Sequence, residues 1–304
     1  MEVDLRISVF GFLAAGGDSP VESYVEHLRR VRDEGFTRMW TAQLPHEADV
    51  LTTMAVAARE VDGIEVAVGV QPIQVQHPMA LAQRALTVNL IAGGRLVLGL
   101  GLSHRAVTEN MWGISWERPL RRMSEFLDGL LPLLNGEKAD AIGEFITTRG
   151  QLQISGAPAP PVYVAALGPQ MLRLAGRRTA GTVTWMTGPR TLAEHIGPTL
   201  REAAADRDVE VIAALPICVT DDVTAARARA ATEYAVYGQL PSYRAMLDRE
   251  GWAGPEDAAL VGDESEVAAR IDELRAAGVD EFVGAPFGRA EERARTRALM
   301  LNKT

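Results

Sequence analysis

A chain of 304 residues can bury a large core, as two ordinary domains or as one large α/β barrel. Its 47% hydrophobic and 23% charged residues are ordinary globular values. A net charge of −9, with no Lys/Arg run interleaved with aromatics, excludes a surface built to neutralise nucleic-acid phosphates.

The opening Met1-Glu2-Val3-Asp4 is acidic where a secretory leader would be basic, and no apolar run reaches membrane-spanning length. The expectation is a soluble cytoplasmic protein with no membrane partner. The single cysteine, Cys218, excludes an internal disulfide framework and, with no His/Cys cluster, a thiolate zinc site; no metal centre is expected.

In chain order, residues 6–13 read as a strand, and Ser19-Pro20 with Glu22 reads as the capped start of a helix that Gly35 stops. A short strand over 37–41 and a helix over 49–61 follow. Next comes the most informative stretch, with a buried strand over 65–70, a helix over 79–92 and a second buried strand over 96–101. A helix is predicted over 119–134. Residues 135–159 then break the rhythm, and alternation over 145–154 suggests a small hairpin within an insertion. The alternation resumes with strands over 162–166, 182–186 and 209–219, and helices over 169–178 and 189–205. A long helical region over 223–249, a helix over 264–277, a strand over 281–283 and a helix over 289–301 complete the chain.

These are close to eight strand-helix pairs with no linker between them. They predict a single-domain (β/α)8 TIM barrel over residues 1–304, with an insertion after the fourth strand-helix unit. A doubly wound dinucleotide fold fits less well: the only Gly-x-Gly lies about a hundred residues in, with His104 where a third small residue belongs.

In a barrel the loops after the strands carry the chemistry. Gly99, Gly101 and Ser103 end one strand; their small size either lets a ligand lie flat on the backbone or serves tight packing at the rim. His104 follows, and an unperturbed imidazole titrates near neutral pH, so it is the candidate catalytic acid-base group. Ala165-Ala166-Leu167-Gly168-Pro169 and Thr187-Gly188-Pro189 are strand-to-helix turns with proline at a helix start, where free N–H groups form a natural phosphate seat. Trp40, Trp112, Trp116, Trp185 and Met186 fall near strand ends, where core packing is their commonest role. Convincing glycosidase carboxylate pairs, Gly-x-Ser-x-Gly elbows and Schiff-base lysines are all lacking.

The stretches VAVGVQPIQVQHPMALAQRALTVNLIAGGRLVLGLGLS and PVYVAALGPQMLRLAGRRTAGTVTWMTGP resemble the bacterial luciferase-like superfamily, and more narrowly its coenzyme F420-dependent branch. His77-Pro78, Gly94-Arg95 and Ala165-Ala166-Leu167-Gly168-Pro169 match in order. The resemblance implies a homodimeric barrel that binds a deazaflavin, or alternatively FMN, and acts on a small-molecule substrate. It implies a cis peptide at Gly69-Val70 under the cofactor ring, Ser103 near the ring, and a phosphate held around Gly168-Pro169 and Thr187-Gly188. Arg173, Arg177 and Arg190 are candidate sources of positive potential.

One departure matters. Related deazaflavin-dependent sugar-phosphate dehydrogenases carry a catalytic histidine after the second strand and a glutamate after the fourth; the matching positions here are Gln43 and His104. Glutamine cannot act as a general acid. The expectation is therefore F420-dependent hydride transfer to or from an organic substrate, with His104 or a loop tyrosine such as Tyr237 as proton donor. The alternatives are an FMN-dependent monooxygenase and a non-catalytic flavin-binding barrel.

Overall fold

The computed structural model describes residues 5–13 and 19–303; the acidic Met1-Glu2-Val3-Asp4 lies outside them. The strands are β1 (Arg6–Phe10), β2 (Arg38–Thr41), β3 (Glu65–Pro72), β4 (Leu96–Gly101), β5 (Ala139–Ile142) and β6 (Thr147–Gly150). They continue with β7 (Val162–Ala165), β8 (Gly181–Trp185), β9 (Glu210–Val219), β10 (Leu260–Gly262) and β11 (Glu281–Pro286). The helices α1 (Pro20–Glu34), α2 (Val50–Glu60), α3 (Pro78–Ile91) and α4 (Pro119–Leu134) alternate with the first strands. Later come α5 (Pro169–Arg178), α6 (Pro189–Thr191), α7 (Gly197–Ala204), α8 (Val223–Glu233), α9 (Pro241–Glu250), α10 (Glu264–Ala276) and α11 (Ala290–Leu301).

The chain forms two compact units, Phe12–Ala165 and Met1–Gly11 with Ala166–Thr304. Within Phe12–Ala165, β2, β3, β4 and β7 pair in parallel in that order, and every residue of β4 is buried. Fully buried parallel strands read as unbroken apolar runs, which is why LVLGLG was legible. Helix starts are set locally. The Ser19 hydroxyl accepts the Glu22 N–H at 3.3 Å and Gly35 closes α1 at φ 114°; Asp49 caps α2 and the His77 ring caps α3. Arg95, at the entry to β4, donates to the carbonyls of Ala58, Val61 and Ile64 and so ties down the end of α2.

The segment after α4 holds the antiparallel hairpin β5–β6. It falls earlier than the alternation over 145–154 predicts, because the buried Glu125 carboxylate on α4 collects the N–H groups of Glu144, Phe145 and Ile146 at 2.8–3.2 Å and fixes the turn there. Arg118 and Arg122 lie 5.5 and 4.6 Å from the centroid of the Phe145 ring and cover the same turn.

In the second unit β1, β11, β9 and β8 pair in parallel, with β8 along the first half of β9 and β10 along its last residues. The three-residue β10 is too short for periodicity to reveal it. The long helix predicted over 223–249 is two: Pro241 has no N–H to continue a helix and holds Leu240 extended, so α8 and α9 are separated by a 3-10 turn (Ala235–Gln239). A π turn (Leu192–Ile196) interrupts the helix predicted over 189–205.

Candidate active site

In Phe12–Ala165 the predicted residues gather at the C-terminal ends of β2, β3, β4 and β7. The Gly69–Val70 peptide is cis, at the junction the resemblance singles out. A Cβ built on Gly101 would strike the Val70 side chain and lie 3.8 Å from the Ala165 Cβ, and one on Gly99 would strike the Val68 carbonyl. The space before these glycines is therefore filled by β3 itself. Close strand packing, one of the two readings left open by the sequence, accounts for the absence of side chains at Gly99 and Gly101.

Gln43 makes its side-chain contacts within its own loop. Its Nε2 donates to Leu44 O at 2.8 Å and Ala48 O at 3.3 Å, its Oε1 accepts the Val50 N–H at 2.7 Å, and its backbone N–H bonds to Val70 O at 3.3 Å. The amide braces residues 43–50 and caps the first turn of α2.

Ser103 follows β4 in the left-handed region at φ 59°, a conformation rare for a residue with a Cβ, and it turns the chain so that half-buried His104 comes next. The His104 carbonyl accepts the Thr108 N–H at 2.9 Å and opens a π turn (Val107–Met111). Burial pushes the His104 imidazole below its ordinary value, so the ring is neutral at pH 7. A titratable group that sequence reasoning missed is Glu47, half-buried on the loop after β2, whose carboxyl is pushed up by burial despite the opposing effect of His46. Its position just past a barrel strand was the available signal.

Trp40 is fully buried, its ring edge-on to Tyr163 at 6.3 Å, and belongs to the core. Gln71 and Gln74, just beyond the cis bond, are buried, and their carboxamide oxygens have no hydrogen-bond partner among the described residues.

In the second unit, Ala166 is buried and Gly168-Pro169 opens α5 on the surface. No side chain caps α5, and a Cβ built on Gly168 would meet nothing within 4 Å. The Leu167 carbonyl accepts His195 Nε2 at 2.9 Å, which holds this turn in place. The residues therefore fit a phosphate, whose oxygens would take the first N–H groups of α5.

Thr187-Gly188 differs. The Thr187 hydroxyl turns back to the Trp185 carbonyl at 3.3 Å, and the N–H of Thr191 is taken by the Glu250 carboxylate. This turn therefore differs from the open one at Gly168. Arg190 is paired with Glu194 at 3.3 Å, whereas Arg173 and Arg177 are exposed on α5. Trp185 lies 5.9–6.2 Å from the rings of Phe10, Tyr234 and Tyr237, and burial pushes the Tyr237 phenol up, keeping it protonated at neutral pH.

A family model described as luciferase-like monooxygenase matches residues 3–281. A 5,10-methylenetetrahydromethanopterin reductase of Methanolobus tindarius is 28% identical, over 90% of this chain and 94% of its own. The solved coenzyme F420 dependent tetrahydromethanopterin reductase of Methanopyrus kandleri superposes with TM-score 0.80 at 21% identity, covering 97% of both chains. The FMN-bound oxygenating constituent of 3,6-diketocamphane monooxygenase from Pseudomonas putida gives 0.76 at 17%, over 99% of this chain and 97% of that one. The fold is the (β/α)8 barrel that the alternation of strands and helices predicts. On the family match, carried through 3–281 and joined to this fold, the chain belongs to the luciferase-like monooxygenase family.

Proposed function

We propose that residues 1–304 form one luciferase-like domain acting as an F420-dependent oxidoreductase, which moves a hydride between the deazaflavin and a small organic substrate. The observation that carries this reading is the likeness, over 90% of the chain, to a 5,10-methylenetetrahydromethanopterin reductase. A cytoplasmic homodimer is the expected working form. When bound, the reduced deazaflavin supplies the hydride, and the protein must supply binding, orientation and a proton.

The open start of α5 at Gly168-Pro169, after Ala165 and Ala166, would hold a phosphate of the cofactor. Gly69, Val70, Gly101 and Ser103 would border the ring, with Val70 the side chain that projects beyond the glycines of β4. The Glu47 carboxyl, pushed up by burial, keeps its proton to higher pH than an ordinary carboxylate, which suits it to donate a proton in an imine or ene reduction. His104, neutral at pH 7, accepts a proton at a ring nitrogen in the oxidative direction and becomes a donor only as pH falls.

Gln43 no longer argues for a non-catalytic barrel, because its amide has a structural task and two other titratable groups stand on the same strand-end loops. The likeness to an FMN-bound monooxygenase supports the second reading, a flavin monooxygenase. Anaerobic incubation with reduced F420 and a set of cyclic imines and conjugated enes separates the two. Acceptor-dependent return of the oxidised deazaflavin absorbance is expected. Oxygen consumption driven by reduced FMN, with no turnover of F420, would contradict the proposal.

A further inference from the structure

Six aromatic rings of the second unit form one connected layer. Phe10 ends β1, Trp185 ends β8 and Phe287 directly follows β11, so three of them lie at C-terminal strand ends, where a barrel carries its chemistry. β8, β9, β11 and β1 pair in that order, yet the Phe10 and Trp185 rings meet at 6.2 Å from opposite ends of the row. The end of α8 and the start of α9 add Tyr234, Tyr237 and Tyr243. Tyr234 and Tyr237 stand edge-on to Trp185 at 6.1 and 5.9 Å; Tyr234 also meets Phe287 at 5.8 Å, and Tyr237 meets Tyr243 at 5.0 Å.

Core packing explains Tyr234 and Phe287, which are buried, but leaves two observations over. Phe10, Trp185 and Tyr237 are only half-buried, so the layer faces solvent in part. The Trp185 indole Nε1 is nevertheless shielded from water and has no hydrogen-bond partner among the described residues. The same is true of the Ser8 hydroxyl, fully buried on the face of β1 that carries Phe10. An unpaired buried donor is costly, and an indole N–H can only donate. A ligand that answers it must bring an acceptor.

Charge narrows the ligand further. Burial pushes up the phenols of Tyr234, Tyr237 and Tyr243, so all three stay uncharged at neutral pH, and the Glu233 carboxylate adds to the effect at Tyr234. An anion would meet the field of Glu233, and an ammonium has no lone pair for the indole N–H. The Tyr237 ring rides on the 3-10 turn Ala235–Gln239, which buries none of its residues, so this ring can swing aside as a ligand reaches Nε1.

We propose that this layer is a recognition surface for substrate, and that it takes a neutral, flat, conjugated ring compound whose carbonyl or imine accepts the Trp185 N–H. The proposal rests on reading the chain as an oxidoreductase of small organic substrates, and it names their class.

Isothermal titration of the purified protein with four probes tests it without turnover. Chromone is flat and neutral with a ring carbonyl, naphthalene lacks the acceptor, 1-decalone is puckered, and trimethylanilinium is a cation. Chromone should bind at least about tenfold tighter than each of the others. Trp185→Phe keeps a ring but removes the donor; with an unchanged thermal melt, it should weaken chromone about tenfold and leave naphthalene as it was. Tyr237→Leu should weaken both. Saturating F420 should leave chromone bound. Chromone affinity unchanged in Trp185→Phe would overturn the proposal, as would equal or tighter binding of decalone or trimethylanilinium, or displacement of chromone by F420. If the chromone pattern holds but F420 neither binds nor turns over, the recognition surface stands and the F420 reading fails.

Discussion

Residue chemistry decides the direction in which each acid-base group works. Burial lowers the His104 imidazole and raises the Glu47 carboxyl, which under the proposed function suits the first to accept a proton and the second to donate one. In the reductive direction, Glu47→Gln should lower turnover by about 10²–10⁴-fold with little change in cofactor affinity. The alkaline limb of the wild-type profile, where the carboxyl loses its proton, should vanish. His104→Ala should instead impair oxidation, whose rate in the wild type falls as acid protonates the ring below its ordinary value near 6.5. Pre-steady-state rates of both variants across pH check this; a reductive profile unchanged in Glu47→Gln would remove the carboxyl from the mechanism. His104 was visible in the sequence because it follows a strand of unmistakable pattern. Glu47 and the bracing role of Gln43 were not, because burial and amide partners arise only when residues 43–50 fold back on α2.

Elements are where local rules worked best and where their failures have identifiable causes. The bounds of α1, α4, α5 and β4 were legible from Ser19, Gly35, Pro119, Pro169 and an uninterrupted apolar run. The hairpin and the break between α8 and α9 were not. The first depends on Glu125, nineteen or more residues away from the N–H groups it collects, and the second on Pro241 overriding good helix formers. Burial alone would push the Glu125 carboxyl up, yet the N–H groups of Phe145, Glu144 and Ile146 with the Arg121 guanidinium hold it down to about 2. A carboxylate depressed in the fold contributes stability that is fully present above its ordinary range and is lost as pH falls through about 2. Glu125→Ala should cost about 3 kcal/mol and free the amide protons of residues 144–146 to exchange. Slow exchange at those amides in the variant would show that the turn does not depend on this carboxylate.

At the scale of the whole molecule, the fold and family were legible because alternating strands and helices leave few architectures, and because two long stretches carry the likeness. The chain's negative charge sharpens the cofactor question: a polyanion must be drawn by local N–H groups and arginines such as Arg173, against a net charge of −9. No helix among the described residues is long and apolar enough to cross a membrane. The central claim is that this chain, whose fold is shared with an FMN-bound monooxygenase, is built for a deazaflavin. Titration of the purified protein with F420 and with FMN, each followed by fluorescence at matched salt, measures it directly. The account predicts F420 binding at least about tenfold tighter than FMN, and equal or reversed affinities would contradict it.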